Sequence, residues 1–405
     1  MQNNKINKPK IKIIAIVAVI IIITNLLTFM FTSSANMVIG NKLLINTPSV
    51  ESAKNINKMI ELEKIINENY YKQINEQDLW NYAFKGLFIG TGDKYTNYYT
   101  QEEFNSYMQD MQSDFVGIGV EIQGSTNGSV KVNDVFENSP ASKAGMKEGD
   151  IIIKVDDFDS TKSNVNEVSK RLRGKKGTEV NVTVLRKEEK INLTITRDEI
   201  HNKKVSGKMI DNIGYISISE FTSDVSKDFE NYYDSFNKQG MKGLIIDMRD
   251  NPGGLVIESI NIANNLLKKD MKIISVTNKS GETQTEKDTT KKHADIPIVV
   301  LLNGGSASAS EILACALKDN NVATIIGEKS YGKGIIQDVK SLNDGSGMTI
   351  TTQEYVSPKG SKIHGKGIAP DIEVKLNSKK DIKDLTLNQD NQLQKAISYL
   401  KQNIK

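Results

Sequence analysis

The chain has 405 residues, with 53 Lys and Arg against 50 Asp and Glu. That size leaves room for two or three cores, and the balanced charge argues against a basic nucleic-acid footprint or an acidic solvating tail. A single cysteine, Cys315, excludes an intrachain disulfide framework and a cysteine-based zinc cluster, and three scattered histidines (His201, His293, His364) argue against a histidine-rich metal site.

The first predicted element is apolar. Lys5, Lys8, Lys10 and Lys12 precede residues 13–31, a run broken only by Thr24, Asn25 and Thr28. It is long enough to cross a bilayer core of about 30 Å, whereas a secretory core segment is typically about 7–15 residues. Basic residues before it and none directly after it predict a cytoplasmic N-terminus, with everything beyond residue 35 outside. Residues 1–36 therefore read as a cytoplasmic tail and signal anchor. Cleavage at Ser33-Ser34-Ala35 is the alternative and would make the protein secreted.

Residues 37–112 read as a helical region, with Ile56, Met59, Ile60, Leu62, Ile65 and Ile66, then Leu79, Trp80, Phe84, Leu87 and Phe88 at helical spacing. GTGDKYTNYYT (90–100) breaks that pattern. From 113 to 200 the texture is β-rich: VGIGVEIQ, SVKVNDVF, DIIIKVDD, EVNVTVLR and KINLTITR, with one helical segment, VNEVSKRLRG. Residues 201–375 alternate strands (NIGYISIS, GLIIDMRD, PIVVLLNGG, VATIIGE, GMTITTQEYV) with helices (SKDFENYYDSFNKQ, VIESINIANNLL, ASEILACALKDN), which predicts an α/β core with parallel pairs. The segment 376–405 carries one further helical stretch, DNQLQKAISYLKQNI.

GEKSYGKG (327–334) nearly matches a phosphate-binding loop, but Gly334 stands where a magnesium-binding hydroxyl is required and GIIQDVK reads as extended where a helix should begin. GIG (117–119) fails as a dinucleotide fingerprint because Ile122 occupies the third glycine position. In NGGSASASEILACAL a strand runs through glycines and small residues into a helix. A serine there can attack a carbonyl while the next N–H, at the positive end of the helix, holds an oxyanion. No histidine stands in a recognisable serine-hydrolase context, and His364 in KIHGKG reads as a turn residue. A buried, neutral lysine can act as the base, and Lys333, between two glycines and near Tyr331, Ile335 and Ile336, is a candidate. Taken alone, SASAS is equally a flexible turn and GKG an exposed loop.

Together GGSASASEI, GEKSYGKGIIQ, MRDNPGG and GKGIAPDI resemble the carboxyl-terminal processing peptidases, or tail-specific proteases, over residues 50–375. The resemblance implies a Ser-Lys peptidase: Ser308 as nucleophile, Lys333 as base, Gln337 orienting the lysine, Ala309 giving one oxyanion amide and Gly253 or Gly254 the other. Ser306 and Ser310 remain fallback nucleophiles, and Ser310 alternatively caps the helix with Glu311 in its first turn.

The β-rich module resembles a PDZ domain. Gly117, Ile118, Gly119 and Val120 match the loop that receives a peptide's terminal carboxylate, and the peptide would add a strand beside VEIQ. Val168 and Leu172 would face that groove, and Arg173 would pair with the carboxylate or stand as a solvated charge.

The expectation is thus a multidomain α/β protein: an N-terminal transmembrane helix, a helical region, a PDZ domain and a Ser-Lys peptidase core. It would be an anchored extracytoplasmic endopeptidase that binds free apolar protein C-termini through its PDZ domain and cleaves through an acyl-enzyme without metal or cofactor. A homodimer through the terminal helical segments is left open. The competing class is a catalytically silent PDZ scaffold, against which the joint presence of Ser308, Lys333 and Gln337 speaks. A β-lactamase-type S-x-x-K arrangement is absent, since Glu311 and Leu313 stand three residues after Ser308 and Ser310.

Overall fold

The computed structural model describes residues 19–25, 37–39, 42–44, 47–112, 114–125, 128–161, 163–201 and 203–404. The expected membrane span, 13–31, lies mostly outside these residues. Within it 19–25 is helical, and among the described residues no helix is long and apolar enough to cross a membrane. The chain divides into two compact units, Met1–Phe84 and Lys85–Lys405.

The first unit holds an antiparallel pair, β1 (Met37–Ile39) and β2 (Lys42–Leu44), then α1 (Val50–Asn69) and the start of α2 (Glu76–Ile89). Ser49 starts α1 by accepting the Ser52 N–H at 3.0 Å, which satisfies a backbone donor that has no partner inside the helix. Trp80 Nε1 donates to Glu63 Oε1 at 2.9 Å and ties the two helices together.

In the second unit β3 (Asn97–Tyr99) precedes α3 (Gln101–Asp110). Helix α3 begins at a reciprocal cap: Thr100 Oγ1 accepts the Glu103 N–H at 3.3 Å and the Thr100 N–H donates to Glu103 Oε2 at 3.0 Å. The β-rich module is entered through β4 (Asp114–Gly117), which pairs antiparallel with its exit strand. Between them lie β5 (Val120–Gly124), β6 (Val130–Val135), α4 (Pro140–Lys143), β7 (Ile151–Val155), β8 (Phe158–Asp159), α5 (Val165–Leu172), β9 (Glu179–Arg186) and β10 (Glu189–Thr196). The exit strand is β11 (Asp198–His201). The sheet runs β10-β9-β7-β6-β5, so β5 is an edge. Alternating Val180, Val182 and Val184 on β9 bury one face with Val130, Val132 and Ile152. Val168 and Leu172, expected to face the peptide groove, belong to this core at 0% and 4% exposure. Their spacing does put them on one helix face, but the module needs that face to close its own interior.

The remaining elements are β12 (Val205–Ile210), β13 (Ile213–Ile218), α6 (Val225–Lys238), β14 (Gly243–Asp247), α7 (Val256–Leu266), β15 (Lys272–Asn278) and β16 (Thr283–Lys287). They continue with β17 (Ile298–Leu302), α8 (Ala309–Asp319), β18 (Ala323–Gly327), β19 (Ile335–Ser341), β20 (Gly347–Val356), β21 (Ile372–Glu373) and α9 (Asn391–Asn403). A sheet of order β12-β13-β14-β17-β18-β21, parallel from β13 onward, carries helices on both faces. Leu244, Ile246, Val300 and Leu302 pack against α6, α7 and α8, while Ile245, Val299 and Leu301 pack against Leu393, Ala396 and Leu400 of α9. Burial on both faces explains why these strands read as continuous apolar runs.

GMTITTQEYV does not join this sheet. As β20 it lies in a second, antiparallel sheet of order β16-β15-β20-β19, with β3 paired to its start. Local chemistry decides this: Gly345, at φ 83°, lets Asn343-Asp344-Gly345 turn β19 back on β20 as a hairpin.

Candidate active site

Strand β17 leads through Asn303-Gly304-Gly305 to Ser308, which precedes the first turn of α8. Ser308 has φ 55° and ψ −115°, a backbone conformation that costs energy for a residue with a Cβ and is held only by its surroundings. The two neighbouring serines are committed elsewhere. Ser306 Oγ donates to the Met248 carbonyl at 2.7 Å and Ser310 Oγ to the Asn251 carbonyl at 3.0 Å, both in full burial. This corrects their reading as fallback nucleophiles and Ser310's as a cap: they fasten the 248–251 turn to the start of α8.

Lys333 sits on the turn between β18 and β19. An added Cβ on Gly334 would lie 2.3 Å from the His364 N, so the 363–367 turn can press against this backbone only where side chains are missing. The lysine between two glycines is thus a side chain on an otherwise bare, tightly packed turn.

Two residues join this turn to the Ser308 turn. The fully buried Glu311 accepts the N–H groups of Ser308 (3.0 Å), Gly332 (2.8 Å) and Lys333 (2.8 Å), and the Ser330 hydroxyl (2.5 Å). From the carbonyl side, the buried Tyr355 hydroxyl lies 2.6 Å from the Lys333 oxygen and 3.2 Å from the Ser308 oxygen. One proton serves one acceptor, and the shorter contact identifies Lys333. The sequence reading assigned neither bracing role. For Glu311 a signal was present: it is the one acidic residue among the apolar and small positions of ASEILACAL.

The Lys333 ammonium lies over the Tyr95 ring, 4.4 Å from its centroid, and no hydrogen bond joins Nζ to Ser308 Oγ among the described residues. Burial pushes the lysine below its ordinary pKa. Lys94 acts the same way, while Asp93, Tyr331 and Glu311 oppose the shift. Gln337 Nε2 donates to Thr351 Oγ1 at 3.1 Å.

Gly253 and Gly254, at φ 104° and 130°, form the turn after β14. A Cβ on Gly253 would come within 2.7 Å of Ser308 Cβ and 3.0 Å of the Ala309 N, so this turn lies directly against the nucleophile candidate. The Gly253 N–H donates to Asn251 Oδ1 at 2.9 Å. The turn's root is clamped by Arg249, which donates to both Asp247 oxygens (2.9 and 2.6 Å), both Asp390 oxygens (3.0 and 2.7 Å) and Gln392 Oε1 (2.9 Å). Asp390 comes from the cap of α9, far along the chain, which no local motif signals. His364, expected in a turn, lies in one, and Cys315 is buried in the core.

In the β-rich module the carbonyls of Ile118 and Gly119 accept the Ala141 and Phe136 N–H groups at 2.8 and 3.1 Å, which fixes the Gly117–Val120 loop beside edge strand β5. Arg173, at the end of α5, is part-exposed and paired: it donates to Gln109 Oε1 at 2.8 Å and to Asp110 Oδ1 at 2.7 Å on α3. Among the described residues no group of three or more His, Cys, Asp or Glu is placed to hold a metal ion.

A model of peptidase family S41 matches residues 212–374, and a PDZ-domain model matches residues 116–196. The chain is 37% identical over 358 residues to a "Probable CtpA-like serine protease" of Staphylococcus aureus (strain bovine RF122 / ET3-1), covering 88% of this chain and 71% of that one. A like-named protein of Staphylococcus haemolyticus (strain JCSC1435) is 33% identical, with 86% and 70% covered. Among solved structures, the photosystem II D1 C-terminal processing protease is similar at 26% identity and a TM-score of 0.50, covering 80% of this chain and 88% of that one.

Proposed function

Because the chain belongs to peptidase family S41, as a serine peptidase with a PDZ domain, we propose that it is a tail-reading endopeptidase with Ser308 as nucleophile and Lys333 as base. The observation that carries this is the shared brace: Glu311 holds the backbones of both residues, and burial favours the neutral lysine amine. Lys333 rotates from the Tyr95 ring toward Ser308 Oγ and takes its proton as Oγ attacks the scissile carbonyl. The Ala309 N–H and the Gly253-Gly254 turn stabilise the oxyanion. Lys333 then gives that proton to the leaving amine as the C–N bond breaks; neutral again, it takes a proton from a water molecule whose oxygen attacks the acyl carbon, and returns it to Ser308 Oγ as the acyl C–O bond breaks. Gln337 orients Lys333.

Substrate C-termini are read at the Gly117–Val120 loop. An added strand pairs with the open edge of β5, and Arg173 receives the carboxylate in place of Asp110. The solved relative is named for processing a C-terminus, and the same substrate class is proposed here. The basic, then apolar N-terminus supports a single-pass anchor in the cell membrane with the catalytic part outside. A second copy is proposed on α1, where Ile60, Leu62 and Ile65 are exposed.

The acyl-enzyme is the direct test. Rapid acid quench of the protein during turnover of an unstructured peptide, followed by digestion and mass spectrometry, is expected to find the acyl group on Ser308. An adduct on Ser306 or Ser310, or acylation that persists in Ser308→Ala, contradicts the assignment.

A further inference from the structure

Residues 93–96 lie outside both matched segments, yet they close one side of the lysine's seat. The Asp93 carboxylate accepts the Tyr95 N–H at 3.0 Å on Oδ1, and the hydroxyls of Thr96 (2.8 Å) and Thr351 (2.5 Å) on Oδ2. The loop is knitted into β20 at two further points: the Thr351 N–H donates to Thr96 Oγ1 at 3.0 Å, and Thr349 Oγ1 donates to the Tyr95 carbonyl at 2.9 Å. Tyr95 then places its ring against the Lys333 ammonium.

The direction of these bonds follows from chemistry. An ionised carboxylate can only accept, so the Thr351 hydroxyl must spend its single proton on Asp93. Its oxygen is then an acceptor, and the group facing it at 3.1 Å must be the amino end of the Gln337 amide. Gln337 therefore keeps its carbonyl Oε1 as the end that can accept a hydrogen bond from an amine. Burial raises the Asp93 pKa, but the hydrogen bonds from Thr351, Tyr95 and Thr96, with His364 nearby, outweigh it and keep the carboxyl below its ordinary value. The charge on which the relay depends is present at neutral pH.

We propose that Asp93 is a positioning residue for the peptidase reaction: through Thr351 it fixes which end of the Gln337 amide addresses Lys333, and through Tyr95 it shapes the lysine's seat. This rests on the Ser-Lys reading. The region before the PDZ domain thereby completes the active site of the core that follows it. Asp93 also places a negative charge near Lys333, alongside Glu311 and Tyr331 and against Lys94.

The test uses the full chain, a quenched fluorescent unstructured peptide ending in Leu-Val-Val, and three variants. Asp93→Asn keeps the volume but removes the charge and the enforced direction. It is expected to lower kcat about 10- to 100-fold with KM little changed. Loss of an opposing negative charge lowers the Lys333 pKa, so the acid limb of the kcat profile moves to lower pH. Thr351→Val breaks the relay but keeps the charge: kcat falls and the acid limb moves much less. Wild-type kcat and pH profile in both variants overturn the proposal. So does a fall in activity that merely tracks melting temperature while the Asp93→Asn limb stays in place, since that assigns Asp93 to fold stability alone. Lys333→Ala separates the two levels. If it is inactive while the other two behave as wild type, only this inference fails; if it still cleaves, the Ser-Lys reading fails and takes the inference with it.

Discussion

Glu311 holds the Ser308 turn and the Lys333 turn together with one carboxylate. Glu311→Ala leaves the N–H groups of Ser308, Gly332 and Lys333 without their acceptor in a buried site, at about 1–3 kcal/mol for each group left unpaired. The expected result is a large fall in unfolding free energy by denaturant titration together with loss of cleavage. Wild-type stability would show that the brace is not needed. The lysine makes a second prediction. Because burial holds Lys333 below its ordinary pKa, the active, neutral form gains population as pH rises through that lowered value. Cleavage should therefore show an acid limb below the ordinary lysine range, and Lys333→Arg, which cannot lose its proton, should be inactive. A rate flat across that range would contradict a lysine base. At this scale the sequence brought the proposed residues forward wherever a motif holds them: Ser308 stands in GGSASASEI, and Lys333 and Gln337 stand in GEKSYGKGIIQ. Tyr355 and Asp93 could not be picked out, because each acts across a strand pairing that one-dimensional patterning does not specify.

Helices were the most legible elements: α6, α7, α8 and α9 each repeat apolar residues at helical spacing, the last three fall within the predicted stretches, and α6 begins one residue before its own. Strand partners were less so. β20 reads like the parallel strands but belongs to the antiparallel sheet, and β15 escaped notice because KIISVTN follows α7 without a strong turn signal. Helix α9, read from the sequence only as one further helical stretch, closes the second face of the parallel sheet, anchored by the Asp390 bonds to Arg249. Both partners are almost fully buried, so Asp390→Ala strips two guanidinium N–H groups of their carboxylate acceptor while Asp247 keeps the charge paired, and should cost about 1–3 kcal/mol for each group left unpaired, read by chemical denaturation. An unchanged midpoint would mean that Asp247 alone satisfies Arg249. Arg249 also roots the Gly253-Gly254 turn, so the same variant is expected to slow cleavage more than it weakens peptide binding.

Across the molecule, residues 93–110 reach both Lys333 of the core and Arg173 of the β-rich module. Helix α3 contributes Gln109 and Asp110 to Arg173, and the 93–96 loop just before it contributes to the lysine's seat. If Asp110 occupies the position of a substrate carboxylate, Asp110→Ala should tighten binding of a peptide with a free C-terminus by up to about fivefold, the scale of an exposed ion pair. Weaker or unchanged binding in isothermal titration would remove Arg173 from the carboxylate site. The central claim joins tail recognition to Ser-Lys chemistry, and one assay addresses both. An unfolded protein ending in apolar residues would be supplied with a free or an amidated C-terminus to the wild-type chain, Ser308→Ala and Lys333→Ala, with products read by mass spectrometry. The account predicts cleavage that favours the free carboxylate and vanishes in both variants. Equal cleavage of the two substrates, or cleavage that survives either substitution, would contradict it.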